Sequence, residues 1–142
     1  MGKIFGFDYG RVRIGLASCS RLLKIPMPYE NFKMLKTKAL SATALATLLK
    51  KEDCDLLVVG LPLELSGKEG IMAQETKAFI KELEVHLPHV KIVYLDERLT
   101  SAQAEKAMIG MNFNRKQRAQ GSDSMAACLI LETYLSGLDH GM

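Results

Sequence analysis

Apolar and polar positions along this chain form blocks whose period changes between two, continuous apolar runs and about 3.6. The first block, 3–8 (KIFGFD), reads as a short buried strand that ends in a turn at Tyr9-Gly10. RIGLASCS over 13–20 is a second strand, close enough to form a hairpin with the first. Pro26 and Pro28 interrupt the pattern, and 29–34 offers a third, weaker strand. From Lys38 to Lys51 the period lengthens, with Leu40, Ala44, Leu45, Leu48 and Leu49 on one face of a helix. DLLVVG over 55–60 is continuously apolar, as a strand buried on both faces must be. A loop over 61–70 carries Pro62, Gly67 and Gly70, and a helix follows over 71–87, stopped by Pro88. A fifth strand over 91–95 leads into Asp96-Glu97-Arg98.

Thr100 with Gln103 has capping-box spacing, so a helix is expected over 100–108. The polar, basic stretch 110–121 lacks periodicity and reads as a loop. Ser122 then caps a last helix, with Met125, Ala126, Leu129, Ile130 and Leu131 on its apolar side, until Gly137 stops it. The order β-β-β-α-β-α-β-α-α predicts an α/β fold: a five-stranded mixed sheet, order 3-2-1-4-5, with helices on both faces. With 142 residues and no repeat or linker, one domain is expected over 1–142.

Composition changes this picture little. Hydrophobic residues at 48% and charged residues at 25% are ordinary for a globular chain, and a net charge of +3 names no partner. Cys19, Cys54 and Cys128 are odd in number and far apart, which argues against a disulfide framework or zinc site and for a reducing compartment. His86, His89 and His140 lack ligands at metal spacing. With no leader-like segment and no long apolar run, a cytoplasmic protein without membrane contact is expected.

The chemistry lies in acids at element ends. Asp8 closes the first strand, Asp96 and Glu97 close the fifth, and Asp123 opens the last helix. Ligands of open α/β sheets bind at the carboxyl ends of parallel strands. Carboxylates gathered there repel one another unless a hard cation, Mg²⁺ or Mn²⁺, sits between them. Taken singly, each acid has a structural reading. Asp8 could bond its own turn, Asp123 could complement a helix dipole, and Asp96 and Glu97 could be solvated or paired with Arg98. Together they suggest a metal-assisted phosphodiester hydrolase. Strand alternation places Asp96 with Ile92 and Tyr94 on one face and Glu97 on the other. Glu97 is the preferred ligand beside Asp8 and Asp123, with Asp96 assisting catalysis. Gly60, at the end of the strand between the first and fifth, leaves room for a carboxylate from the fifth strand to reach towards Asp8, and it could equally make the turn into Pro62.

Cations flank these acids. No acid lies between Glu105 and Asp123, while Lys106, Arg115, Lys116 and Arg118 are basic, which suits contact with a phosphate backbone. Gly10 is followed by Arg11 and Arg13, Lys68 sits in the Gly67–Gly70 turn, and Arg98 follows Glu97; these complete the expected nucleic-acid contacts.

FDYGRVRIGLA (7–17), LLVVGLPLELSG (56–67), LDERLTSAQAE (95–105) and SDSMAACLILETYL (122–135) together resemble the YqgF family of bacterial proteins. That family, also named for Holliday junction resolvases, lies within the ribonuclease-H-like superfamily. The resemblance implies that fold and a nuclease linked to maturation of the 5′ end of the small-subunit ribosomal RNA precursor. It maps the family's acids onto Asp8, Glu97 and Asp123. True junction resolvases place a glutamate where this chain has Gly60, so the DER triplet takes over that role. Arg11-Val12 replaces the family's usual small residue after DYG.

Four functions follow for comparison. The first is a metal-dependent endonuclease on precursor ribosomal RNA or ribosomal particles. The second is a resolvase of branched DNA, which would need a dimer; an RNA-trimming enzyme could act as a monomer or weak homodimer. The third is a non-catalytic RNA-binding module, and the fourth an actin-like ATPase, which DYG also resembles. The chain's length opposes the fourth, because that fold needs two such domains.

Overall fold

Strict alternation in β1 (Lys3–Asp8) divides its side chains between two cores. In the computed structural model, residues 2–100 and 115–139 are described, with side chains of the last helix described over 124–137. The other strands are β2 (Arg13–Ser20), β3 (Met27–Lys33), β4 (Cys54–Leu61) and β5 (Lys91–Asp96). The described helices are α1 (Lys38–Lys51), α2 (Ile71–Val85) and α3 (Arg115–Asp139), and a 3₁₀ turn, Glu97–Leu99, follows β5. The sheet order is β3-β2-β1-β4-β5, as the pattern predicts. β1 is antiparallel to β2 and parallel to β4, and β4 is parallel to β5.

One face of the sheet buries Phe5, Phe7, Tyr9, Ile14, Leu16, Leu57 and Val59 under α1 and α2. The other buries Ile4, Ala17, Cys19, Leu56 and Val58 under Ala126, Ala127, Ile130 and Leu131 of α3. α3 approaches β1 closely at Gly6, where a Cβ would lie 2.6 Å from the Ala127 carbonyl oxygen. Thr37 caps α1 by accepting from the Leu40 N–H at 3.1 Å. The buried stripe of α1 is Ser41, Ala42, Leu45, Ala46 and Leu49, while Leu40 is exposed, contrary to the expected face.

Three boundaries differ from expectation. β3 starts at Met27 and includes Pro28, which an edge strand tolerates because its outer side needs no ladder bond. α2 ends at Val85, and Leu87 N–H bonds back to the Glu84 carbonyl in a tightened last turn. α3 begins at Arg115, so the expected loop over 110–121 and the cap at Ser122 are corrected for residues 115–122, and the helix passes Gly137. Lys116, Gln117, Arg118, Ala119 and Gln120 are all good helix formers. A glycine within a helix, here Gly121, costs only about 1 kcal/mol. The helix expected over 100–108 lies outside the described residues.

Cys19, Cys54 and Cys128 are buried free thiols. Among the described residues, no helix is long and apolar enough to cross a membrane.

Candidate active site

The carboxyl ends of β1, β4 and β5 lie side by side, since β4 pairs with both neighbours and all three run in the same direction. Asp8 ends β1 on the α3 side, in phase with Ile4, and is 3% exposed. Glu97 begins the turn after β5, in phase with Val93 and Leu95 on that same side, and is 1% exposed. Gly60 lies between them on β4, in phase with Leu56 and Val58 and opposite Leu95. A Cβ at Gly60 would stand 2.6 Å from Glu97 Oε1 and 2.4 Å from Ile130 Cδ1. The Glu97 carboxylate therefore occupies the volume that any other residue at 60 would fill. Both Glu97 oxygens are shielded from solvent.

Asp96 points elsewhere. Its Oδ1 caps the 3₁₀ turn, accepting from Arg98 N–H at 2.9 Å, and its Oδ2 accepts from Arg98 Nη2 at 2.6 Å. Hydrogen bonding from Arg98 holds the Asp96 carboxyl below its ordinary range. Arg98 also donates to the Leu65 carbonyl at 3.2 Å and lies against Gly67, whose φ of +90° favours glycine. Arg98 thus folds the 62–70 loop onto the end of β5 and is occupied within the protein. Pro62 opens that loop directly after β4, and Lys68 is exposed on it.

The turn after Asp8 is equally constrained. At Gly10 a Cβ would lie 2.4 Å from the Arg13 carbonyl oxygen, so the turn closes too tightly for a side chain. Tyr9 packs against Phe79 of α2 with ring centroids 5.6 Å apart. Arg11 reaches Glu75 on α2, donating from Nη2 at 2.6 Å and from Nε to both oxygens at 3.1 Å. That pairing holds Glu75 below its ordinary range. Local sequence offers no sign of Glu75, which stands far from Arg11 in the chain and meets it only through the fold. Arg13 begins β2 and is half-buried.

Asp123 belongs to α3, as do Arg115, Lys116 and Arg118, and their side chains lie outside those described. The neighbouring Ser124 is buried and ties α3 to the sheet, donating to the Tyr29 carbonyl at 2.7 Å and meeting Asn31 Oδ1. Among the described residues, no three His, Cys, Asp or Glu side chains form a metal-binding group. The structure thus brings Asp8 and Glu97 to one rim and one face, turns Asp96 away, and places position 123 on the helix covering that face.

This chain is similar in sequence to proteins named "Putative pre-16S rRNA nuclease". The relative from Endomicrobium trichonymphae is 36% identical over 136 residues, covering 95% of this chain and 96% of that protein. One from Chlamydia trachomatis (serovar L2) is 38% identical over 135 residues, covering 92% and 88%. One from a Sulfurihydrogenibium species is 36% identical over 139 residues, covering 97% and 92%. In structure the chain is similar to Thermus thermophilus RuvC solved in complex with a Holliday junction substrate. The TM-score is 0.62 at 12% identity, covering 99% of this chain and 97% of that one. RuvC in a second structure gives a TM-score of 0.58. At such identity the likeness establishes the ribonuclease-H-like fold. A model described as "RuvX: Holliday junction resolvase" matches residues 2–137, and the chain accordingly belongs to this family of nucleases.

Proposed function

We propose that this protein is a metal-dependent endonuclease for structured nucleic acid that processes the 5′ end of pre-16S ribosomal RNA. The observation that carries the reading is the pair Asp8 and Glu97, two buried acids on one face at the ends of the strands that flank β4, with Gly60 of β4 making space for the second. Hard oxygen donors in a water-poor recess suit Mg²⁺ or Mn²⁺. Asp8, Glu97 and Asp123 would hold the ion; Asp123 precedes Ala127 and Leu131 by four and eight residues, the spacing of one helix stripe. When bound, such an ion activates water and neutralises charge on the leaving oxygen. The chain's own part is to hold donors rigidly. Asp8 is fixed by a strand paired on both sides, Glu97 by its packing at Gly60, and Asp96 by its role as cap and partner of Arg98. The buried thiols fit a reducing cytoplasm.

A second reading, resolution of branched DNA by a dimer, is favoured by the family description. The two separate by incubating the protein with labelled precursor RNA and with four-way DNA junctions, each in magnesium, manganese or EDTA. Metal-dependent RNA cleavage that disappears in Asp8→Asn is expected. Junction cleavage alone favours the second reading, and tight binding without cutting in any metal means a non-catalytic RNA-binding module. Mass in solution separates a monomer or weak homodimer from an obligate dimer.

A further inference from the structure

The end of β3, the connector after it and the start of α1 carry Lys33, Lys36 and Lys38 in turn, and no acid occurs anywhere in 31–51. The fold brings this segment to the rim that holds Asp8. Met34 N–H bonds to the Val12 carbonyl at 3.0 Å, which fastens the connector to the turn following Asp8. Arg13 and Lys33 stand directly opposite each other on β2 and β3. Their neighbours Ile14 and Phe32 pack into the α1/α2 core, so alternation directs Arg13 and Lys33 to the α3 side, the side of Asp8 and Glu97.

Several other cations are already neutralised. Among the described residues, Lys3, Arg11, Arg21, Lys77 and Arg98 each form an ion pair with a carboxylate. Lys33, Lys36 and Lys38 are exposed, and none of them forms such a pair among the described residues. Glu75, which Arg11 already engages, also has its charge favoured by Lys38. Lys33 is two strands from Asp8, about 10 Å at the usual interstrand spacing.

We propose that Lys33, Lys36 and Lys38, continuing from Arg13, form a track that holds the phosphate backbone of the nucleic acid beside the Asp8 site. The proposal rests on the nuclease reading for the identity of its polyanionic ligand. Contacts to phosphates fix register and orientation without reading sequence, so the track sets where a strand lies relative to the acids. Each backbone contact releases counterions, and its loss reduces the salt dependence of binding.

The test measures the affinity of Asp8→Asn protein for a precursor RNA hairpin and for a four-way DNA junction across a salt series. The triple variant Lys33→Ala/Lys36→Ala/Lys38→Ala is compared with Lys50→Ala/Lys51→Ala/Lys91→Ala, a control with the same charge loss at the opposite rim, where α1 ends and β5 begins. The track variant should bind roughly tenfold or more weakly, with the salt slope shallower by about 2–3, and the control should stay close to the parent. Equal weakening by both triples, unchanged binding by the track variant, or no binding by the parent overturns the proposal. Weakening on RNA, on the junction or on both supports it and identifies the ligand. Cleavage by otherwise native protein is scored separately. A protein that cuts nothing but loses binding through these lysines sinks the nuclease reading and leaves the track standing.

Discussion

Gly60 and Glu97 share one volume: a Cβ on the glycine would lie 2.6 Å from the glutamate's Oε1. Alanine there also meets Ile130 Cδ1 at 2.4 Å, so neither neighbour can accept it unmoved. Alanine ordinarily favours a strand over glycine by roughly 0.5–1 kcal/mol, but overpacking costs about 1–3 kcal/mol and prevails. Gly60→Ala is expected to lower thermal stability and to abolish metal-dependent cleavage by displacing the carboxylate. A melting curve and a cleavage assay check it; an active, equally stable variant contradicts the placement of Glu97.

Metal binding should register in stability independently of turnover. A ligand that binds only the folded state stabilises it by about 1.4 kcal/mol at ten times its Kd. Manganese titrations followed by melting should therefore raise Tm in the native sequence, and the increase should vanish in Asp8→Asn and Glu97→Gln. Persistence of the shift in both variants would place the ion elsewhere.

Ser124 fastens α3 to β3 immediately after Asp123. Its hydroxyl donates to the Tyr29 carbonyl at 2.7 Å from a buried position. Ser124→Ala removes that bond and leaves a shielded acceptor, at a cost of about 1–3 kcal/mol. Urea denaturation should show a lower midpoint with an unchanged slope, together with reduced cleavage.

Burial pushes the Cys54 thiol up to about 12. An unfolded thiol titrates near about 8.5. Between these values the unfolded chain has released a proton that the folded chain keeps, so stability is unaffected below the lower value and falls as pH rises toward the upper one. Denaturation midpoints measured from pH 8 upward should decline in the native sequence and decline less in Cys54→Ala. In native protein at pH 8, alkylating reagents should spare Cys54.

The pattern of the chain was sufficient for the sheet and its order, because β1, β2 and β4 carry unambiguous period-two or continuous apolar runs. It was insufficient at the start of α3, where polar helix formers from Lys116 to Gln120 present no apolar stripe and Gly121 imitates a stop. The opposite facing of Asp96 and Glu97 is legible from alternation alone, since adjacent strand residues face opposite ways. Arg11 was not. Its composition suggested a phosphate contact, but its nearest anion is Glu75, which only tertiary packing delivers. The basic connector is illegible for the same reason: Lys33, Lys36 and Lys38 acquire meaning only once Met34 is bonded to the turn at Val12.

The arrangement of strands also governs when the rim carrying Asp8 and Glu97 can first form. β1 and β2 join through a tight turn, whereas β4 and β5 enter as parallel neighbours only after long crossovers. Distant parallel pairings form late because chain ends must first be brought together. Asp8 is thus in place early in synthesis, and Glu97 reaches it only when the far strands dock. A nascent or half-assembled chain therefore lacks the rim on which Asp8 and Glu97 meet.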